Sequence, residues 1–247
     1  MKLRNPVRND ISRGDAFTRI DLVALIFVLF LAGAVASPLF NSRSRAQSDT
    51  LVCQANLGEI GRAYQLWAGD HDDRNPFLVE SSEGGLRRHP LAPNPYIQFA
   101  WISNGLASPK VFVCPADTNT TRRAKDFSAS ANGGFMHPAY RNNAVSYMMS
   151  FHALRYMPRA ILSGDRNIEP FQIQGCSYAL FSAPTVQAQG TNNGSQWAQS
   201  IHWSKGNLLF NDGSVEETTT PQLRANVVSN DDLPGGATGA IHVLLPR

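Results

Sequence analysis

Residues 22–40 read LVALIFVLFLAGAVASPLF, nineteen positions without a charge. Beyond them the apolar residues thin to a stripe. Cys53, Leu57, Ile60, Tyr64 and Trp67 follow at intervals of 4, 3, 4 and 3, the spacing of one helix face. Arg43, Arg45, Asp49, Glu59 and Arg62 fall off that stripe. The pattern predicts one helix from about Phe17 to about Ala68, apolar all round in its first half and on one face in its second. Pro38 lies inside it, where proline removes a backbone hydrogen bond and kinks the axis. Gly69-Asp70 end the helix and His71–Pro76 form a loop. Short apolar stretches then predict strands at Lys110–Cys114, Ala144–Ser150, Ala160–Gly164, Tyr178–Ser182, Asn207–Asn211, Ser214–Glu217 and Ile241–Leu245. Asn211-Asp212-Gly213 between two of them is a hairpin signal. Long loops fill 77–108, 116–142 and 183–200, and Pro221-Gln222-Leu223 begins a short helical turn. The expected class is α+β: a long N-terminal helix packed on an antiparallel sheet, with large loop insertions.

The charge-free run changes this picture from a globular domain to an anchored one. At ~1.5 Å per residue it spans about 28 Å, against a hydrocarbon core of ~30 Å. The net charge of the 247-residue chain is +3. Residues 1–16 hold Lys2, Arg4, Arg8 and Arg13 against Asp10 and Asp15, so two of those three charges precede the run. The positive-inside rule then keeps residues 1–16 cytoplasmic and sends 41–247 across the membrane. The rest of the chain carries no basic patch suited to nucleic acid. Ala34-Val35-Ala36 also fits an A-x-A signal-peptidase site. Asp21 separates a secretory signal from a retained helix. A carboxylate near a membrane core costs roughly 2.5–3.5 kcal/mol unless paired, and a signal peptide has no use for it.

Ala16-Phe17-Thr18-Arg19-Ile20-Asp21-Leu22 resembles the prepilin cleavage and methylation motif of type IV pilins and type II secretion pseudopilins. Ala16 stands where Gly is usual, Asp21 where Glu is usual, and Arg19 where an apolar residue is usual. The resemblance implies that prepilin peptidase cuts between Ala16 and Phe17 and methylates the new amine. It also gives Asp21 an assembly role, pairing with a neighbouring subunit's amine, which offsets burial of both charges. His202 followed by nine residues and Asp212-Gly213 resembles the H-x9-DG domain that accompanies such N-termini in bacterial paralogue sets. Cys53-Gln54-Ala55-Asn56-Leu57 with Ile60-Gly61, Cys114-Pro115-Ala116-Asp117 and Gly164-Asp165-Arg166-Asn167 resemble further segments of that family, in the same order. The implied organisation is a leader at 1–16, a transmembrane or filament-core helix half at 17–40, an amphipathic half and loop at 41–76, and a β-rich head at 77–247. The implied partners are prepilin peptidase, other pilin or pseudopilin subunits and the inner membrane. The N-terminus would be cytoplasmic and the head periplasmic or extracellular.

The residues themselves point to structure rather than catalysis. His202 is expected to enter a strand, and Asp212-Gly213 to make the turn after it. An enzyme reading would make His202 a base oriented by Asp212, but no G-x-S-x-G or other nucleophile context accompanies them. Asp70, Asp72 and Asp73, with His71, are weak cation candidates. Arg74 falls where an EF-hand ligand belongs, and no glutamate closes the loop. Asp231-Asp232 is a second weak candidate. Asp165-Arg166 reads as a strand-end ion pair. Cys53, Cys114 and Cys176 are widely spaced with no CxxC, which argues against zinc. Export makes disulfides possible. A Cys53–Cys114 bridge would tie helix to sheet, two buried free thiols fit nearly as well, and Cys176 is left unpaired. Trp67, Trp101, Trp197 and Trp203 read as core or inter-subunit packing. No cofactor is called for. Two other functions stay open: an anchored or secreted ligand-binding module without a filament, and a secreted hydrolase cut after Ala36.

Overall fold

The stripe that begins at Cys53 turns inward in the structure, a computed structural model. It describes residues 18–120, 122–151, 153, 157–169, 172–175, 184–190, 194–229 and 240–246, with backbone alone at 35–43, 172–175, 184–189 and 240. Ala16, Phe17, Cys176, Tyr178–Ser182 and Asp231-Asp232 lie outside the described residues. The chain divides into two compact units between Arg45 and Ala46.

Helix α1 covers Arg19–Gly69. Thr18 caps it. The Asp21 carboxylate accepts from the Thr18 amide (2.8 Å) and hydroxyl (2.7 Å), and the Asp21 amide donates back to that hydroxyl (3.2 Å). This reciprocal capping box satisfies amides that the first turn would otherwise leave unpaired. In the first unit every side chain from Arg19 to Ala34 is exposed, including Ile20, Phe27 and Phe30. Among the described residues no helix is long and apolar enough to cross a membrane; side chains of the charge-free run are described only as far as Ala34.

The second unit is built on sheet pairing. Its elements are α2 (Pro95–Ala100), β1 (Tyr147–Ser150), β2 (Ile161–Asp165), β3 (Ile168–Glu169), β4 (Gln172–Gly175), β5 (Pro184–Gln189), β6 (Gln196–Trp197), β7 (Lys205–Phe210), β8 (Val215–Thr219), α3 (Thr220–Ser229) and β9 (Ala240–Leu244). Seven strands form one antiparallel sheet in the order β4-β5-β9-β1-β2-β7-β8, and β3 pairs with β6 separately. The chain is therefore α+β. Alternation along each strand gives the sheet two cores. Tyr147, Met149, Leu162 and Leu209 join Cys53, Leu57, Ile60, Ala63 and Tyr64 of α1. Met148, Ile161, Leu208 and Phe210 face the other way, with Leu223 and Val227 of α3.

Several expectations need correction. Lys110–Cys114 is no strand: Pro109–Phe112 is a 3-10 turn, with the Ser108 hydroxyl accepting from the Lys110 amide. Ser-Pro starts a turn there more strongly than Val111 and Val113 favour a strand. The region 183–200 is not one loop, because β5 and β6 lie in it. β5 is rich in polar residues, and it is a strand because β4 and β9 bond it on both edges, a tertiary effect that propensity does not carry. The turn at Pro221 extends into the ten-residue α3. His202 does not enter a strand. His202, Trp203 and Ser204 are consecutive left-handed residues (φ 51°, 52° and 63°), and β7 starts after them.

Asn211-Asp212-Gly213 closes the β7–β8 hairpin. The Gly213 amide donates to the Phe210 carbonyl (2.9 Å), and Gly213 holds φ +84°, a backbone state that favours glycine. Gly206 serves packing instead. A Cβ there would meet the Trp197 ring at 2.5–2.6 Å, and rigid rings do not yield. Gly206→Ala is expected to destabilise the head by about 1–3 kcal/mol. At Gly58, on α1, a Cβ meets nothing within 4 Å, so Gly58→Ala should stabilise by roughly 0.5–1 kcal/mol. Chemical denaturation of the two variants checks both signs.

Candidate functional site

A buried polar hub forms where α1 crosses the sheet. One face of α1 supplies Thr50, Cys53, Gln54 and Asn56. Cys53 is joined to Cys114 by a disulfide, with Cα atoms 5.1 Å apart. Both cysteines are fully buried. Cys114 opens the Cys-Pro-Ala-Asp turn, which the Asp117 amide closes onto the Cys114 carbonyl (3.0 Å).

His202 sits against this bridge, 8% exposed. Its Nε2 lies 3.3 Å from Cys114 Sγ and 3.6 Å from Asp165 Oδ2, the latter too long for a hydrogen bond. Its Nδ1 is 3.0 Å from Thr50 Oγ1. That hydroxyl spends its one proton on the Ala46 carbonyl (3.1 Å). In the tautomer with Nδ1 protonated, Nδ1 donates to this hydroxyl and the Nε2 lone pair faces the sulfur and the carboxylate. Burial holds the His202 pKa below its usual value, although Glu217 and Asp49 pull the other way.

Asp165, at the end of β2, is fully buried. Its Oδ2 accepts from the Asn207 amide (2.6 Å) and side chain (2.9 Å). Gln54 Nε2 in turn donates to Asn207 Oδ1 (3.1 Å). Asp165 Oδ1 is buried without a partner among the described residues. Burial pushes the Asp165 carboxyl up to about 7, with the charges of Asp117 and Glu217 adding to the rise and the Asn207 bonds opposing it.

The expected Asp165–Arg166 ion pair is corrected. β2 ends at Asp165, which turns to Asn207, and Arg166 just past the strand pairs with Asp117 instead, Nε to Oδ2 at 2.8 Å and Nη2 to Oδ1 at 3.0 Å. Asn167 Nδ2 donates to the carbonyls of Ala198, Ile201 and Lys205. It clamps the turn whose three left-handed residues cost about 1–3 kcal/mol each. Trp203 in that turn is 80% exposed, whereas Trp197 is buried. Trp67 stacks on His71 and Trp101 meets His89 edge-on.

The segments grouped by resemblance thus meet in space, but His202 and Asp212 do not act as a pair. Asp212 accepts from the Ser214 amide (2.9 Å) and hydroxyl (2.6 Å), which closes its own turn. The acid beside His202 is Asp165. Asp70, Asp72 and Asp73 do not gather either: Asp72 bonds Arg74 at 3.3 Å, and Asp72 and Asp73 hold φ of 58° and 55° in the turn after α1. Among the described residues, metal-ligating atoms cluster at Cys53, Cys114 and His202, all within 4.8 Å of one another. An open cavity of about 340 Å³ lies elsewhere, lined in part by Leu91, Tyr96, Tyr140 and Arg141.

No protein-family model matches the chain, nor does any curated protein or solved structure.

Thr50, Gln54 and Asn207 join the hub although no expected site role fell on them. The signal for Asn207 was a polar residue inside the apolar stretch Lys205–Phe210. For Asp165 the native state binds its proton more tightly than the unfolded chain, whose carboxyl titrates at about 3.9. Its contribution to stability is full below about pH 4 and is lost as pH rises toward 7. Thermal unfolding across that window should show a steeper fall in Tm for the wild type than for Asp165→Asn. A wild-type Tm that climbs over the window relative to the variant would mean an ionised Asp165 paired with a protonated His202.

Proposed function

We propose that this chain is a structural subunit, pilin-like or pseudopilin-like, of a type II secretion or type IV pilus-like filament. Prepilin peptidase cuts it before Phe17, and the head carries no catalytic role. One observation carries the reading. Every large apolar side chain from Ile20 to Leu31 on the first half of α1 is exposed, each by 48% or more. An apolar surface of that extent needs lipid or other subunits to cover it. It follows directly on the Ala16-Phe17 motif and Asp21. The helix-on-sheet arrangement of the second unit suits a head displayed on such a stem, and the chain would be anchored in the inner membrane before assembly.

A plain anchored binding module is the second reading, and the capping box favours it. Asp21 already has partners in its own chain at Thr18, so a neighbouring subunit's amine is not its only use.

Mass spectrometry of the N-terminal peptide tests the processing. An N-methylated Phe17 is expected; Ser37 would overturn the proposal and favour a secreted protein, and an intact Met1 would leave a plain anchor. Asp21→Ala and Thr18→Ala separate the two uses of Asp21. Both weaken the cap, but only Asp21→Ala removes the charge. The filament reading expects Asp21→Ala alone to vanish from the sheared-filament fraction while still being processed. Equal behaviour of the two variants would favour the anchor.

A further inference from the structure

The disulfide sits beside a further side chain of metal-ligating chemistry. His202 Nε2 lies 3.3 Å from Cys114 Sγ and 3.6 Å from Asp165 Oδ2, and the ligating atoms of Cys53, Cys114 and His202 all lie within 4.8 Å of one another. With Nδ1 protonated and bonded to Thr50, Nε2 is free to ligate. Asp165 Oδ1 is fully buried with no partner among the described residues, and either a proton on the carboxyl or a bound cation would offset that cost.

We infer that the reduced chain binds a zinc-class divalent cation here, through Cys53 Sγ, Cys114 Sγ, His202 Nε2 and the Asp165 carboxylate. Metal and disulfide are then alternative closures of one site. Zinc prefers four ligands of this type, with Zn–S of about 2.3 Å and Zn–N or Zn–O of about 2.0–2.2 Å. Those lengths make the edges of a tetrahedron about 3.3–3.8 Å. The edges already present are 3.3 Å from Cys114 Sγ to Nε2 and 3.6 Å from Nε2 to Oδ2. Reduction breaks the bond that holds the two sulfurs together. Thiolate, imidazole and carboxylate together suit zinc better than magnesium or calcium. The outer groups fit as well. A ligating imidazole characteristically donates its other N–H to an oxygen, and ligating carboxylates are themselves hydrogen-bonded. Thr50 fills the first role, and Asn207, held by Gln54, fills the second.

The exchange balances. An oxidant of the disulfide class takes two electrons from the two zinc-bound thiolates. The Cys53–Cys114 bond forms, the oxidant's S–S bond breaks to give two thiolates, and Zn2+ leaves. The inference concerns the second unit alone and does not depend on filament assembly.

The test uses the full chain in detergent, reduced anaerobically with a phosphine, desalted and titrated with Co2+ and then Zn2+. The expected result is one Co2+ per reduced chain, with a thiolate-to-cobalt charge-transfer band and tetrahedral d–d bands that Zn2+ abolishes. The oxidised chain should bind none. Cys114→Ser should lose the charge-transfer band or dim it, and His202→Ala and Asp165→Asn should weaken binding at least tenfold. Cys176→Ser should behave as wild type. Alkylation of the wild-type chain read by mass spectrometry needs no variant: Zn2+ should shield Cys53 and Cys114 and leave Cys176 reactive. The inference is overturned by a reduced chain that takes up no stoichiometric Co2+. Binding that survives both Cys53→Ser and Cys114→Ser, or shielding that falls on Cys176 instead, overturns it equally.

Discussion

A carboxylate out of reach of water has to be satisfied by the chain around it, and Asp165 is where this head meets that demand. It takes two bonds from Asn207 on the neighbouring strand, Gln54 on the helix fixes Asn207, and His202 lies against the same oxygen. Three distant segments are therefore brought to one point. An apolar contact would tolerate a shift of a few tenths of an ångström. A buried hydrogen-bond network does not, so the hub sets how the helix lies on the sheet, and the disulfide locks the same contact covalently.

The hub explains the strained turn beside it. Three residues in succession adopt a left-handed backbone, which only a surrounding structure that over-determines them maintains. Asn167 supplies that by reaching three carbonyls of the turn. The result carries His202 inward and leaves Trp203 outside.

How much of this was legible in the residues depends on the range over which each feature acts. The α1 stripe is local, and spacing alone placed it and its end at Gly69. The hairpin at Asn211–Gly213 is local too. The Thr18-Arg19-Ile20-Asp21 capping box was equally open to reading as a T-x-x-D pattern before an apolar run, and was passed over for a role between chains. β5 was not legible because its strand character comes from the neighbours on either edge. The Asp165-Arg166 pair misled because the strand ends between them and each side chain finds a partner from elsewhere in the fold, that of Arg166 lying 49 positions away. Cys53, Cys114 and His202 meet only through the fold, a proximity that the spacing of the cysteines does not carry.

The strand order has one more consequence. β9, the last described strand along the chain, sits between β5 and β1 in the middle of the sheet. A chain emerging from the ribosome can zip β1 to β2 and β4 to β5 early, but the two parts stay unjoined until residues 240–244 appear. The helix face bearing Cys53 must wait as well, since its partners on β7 arrive some 150 residues after it. Assembly dominated by such distant pairings is slow and leaves apolar surface open meanwhile. A nascent chain halted shortly before residue 240 would hold two half-sheets with raw edges, so the head's vulnerability during synthesis lies at its end rather than its beginning.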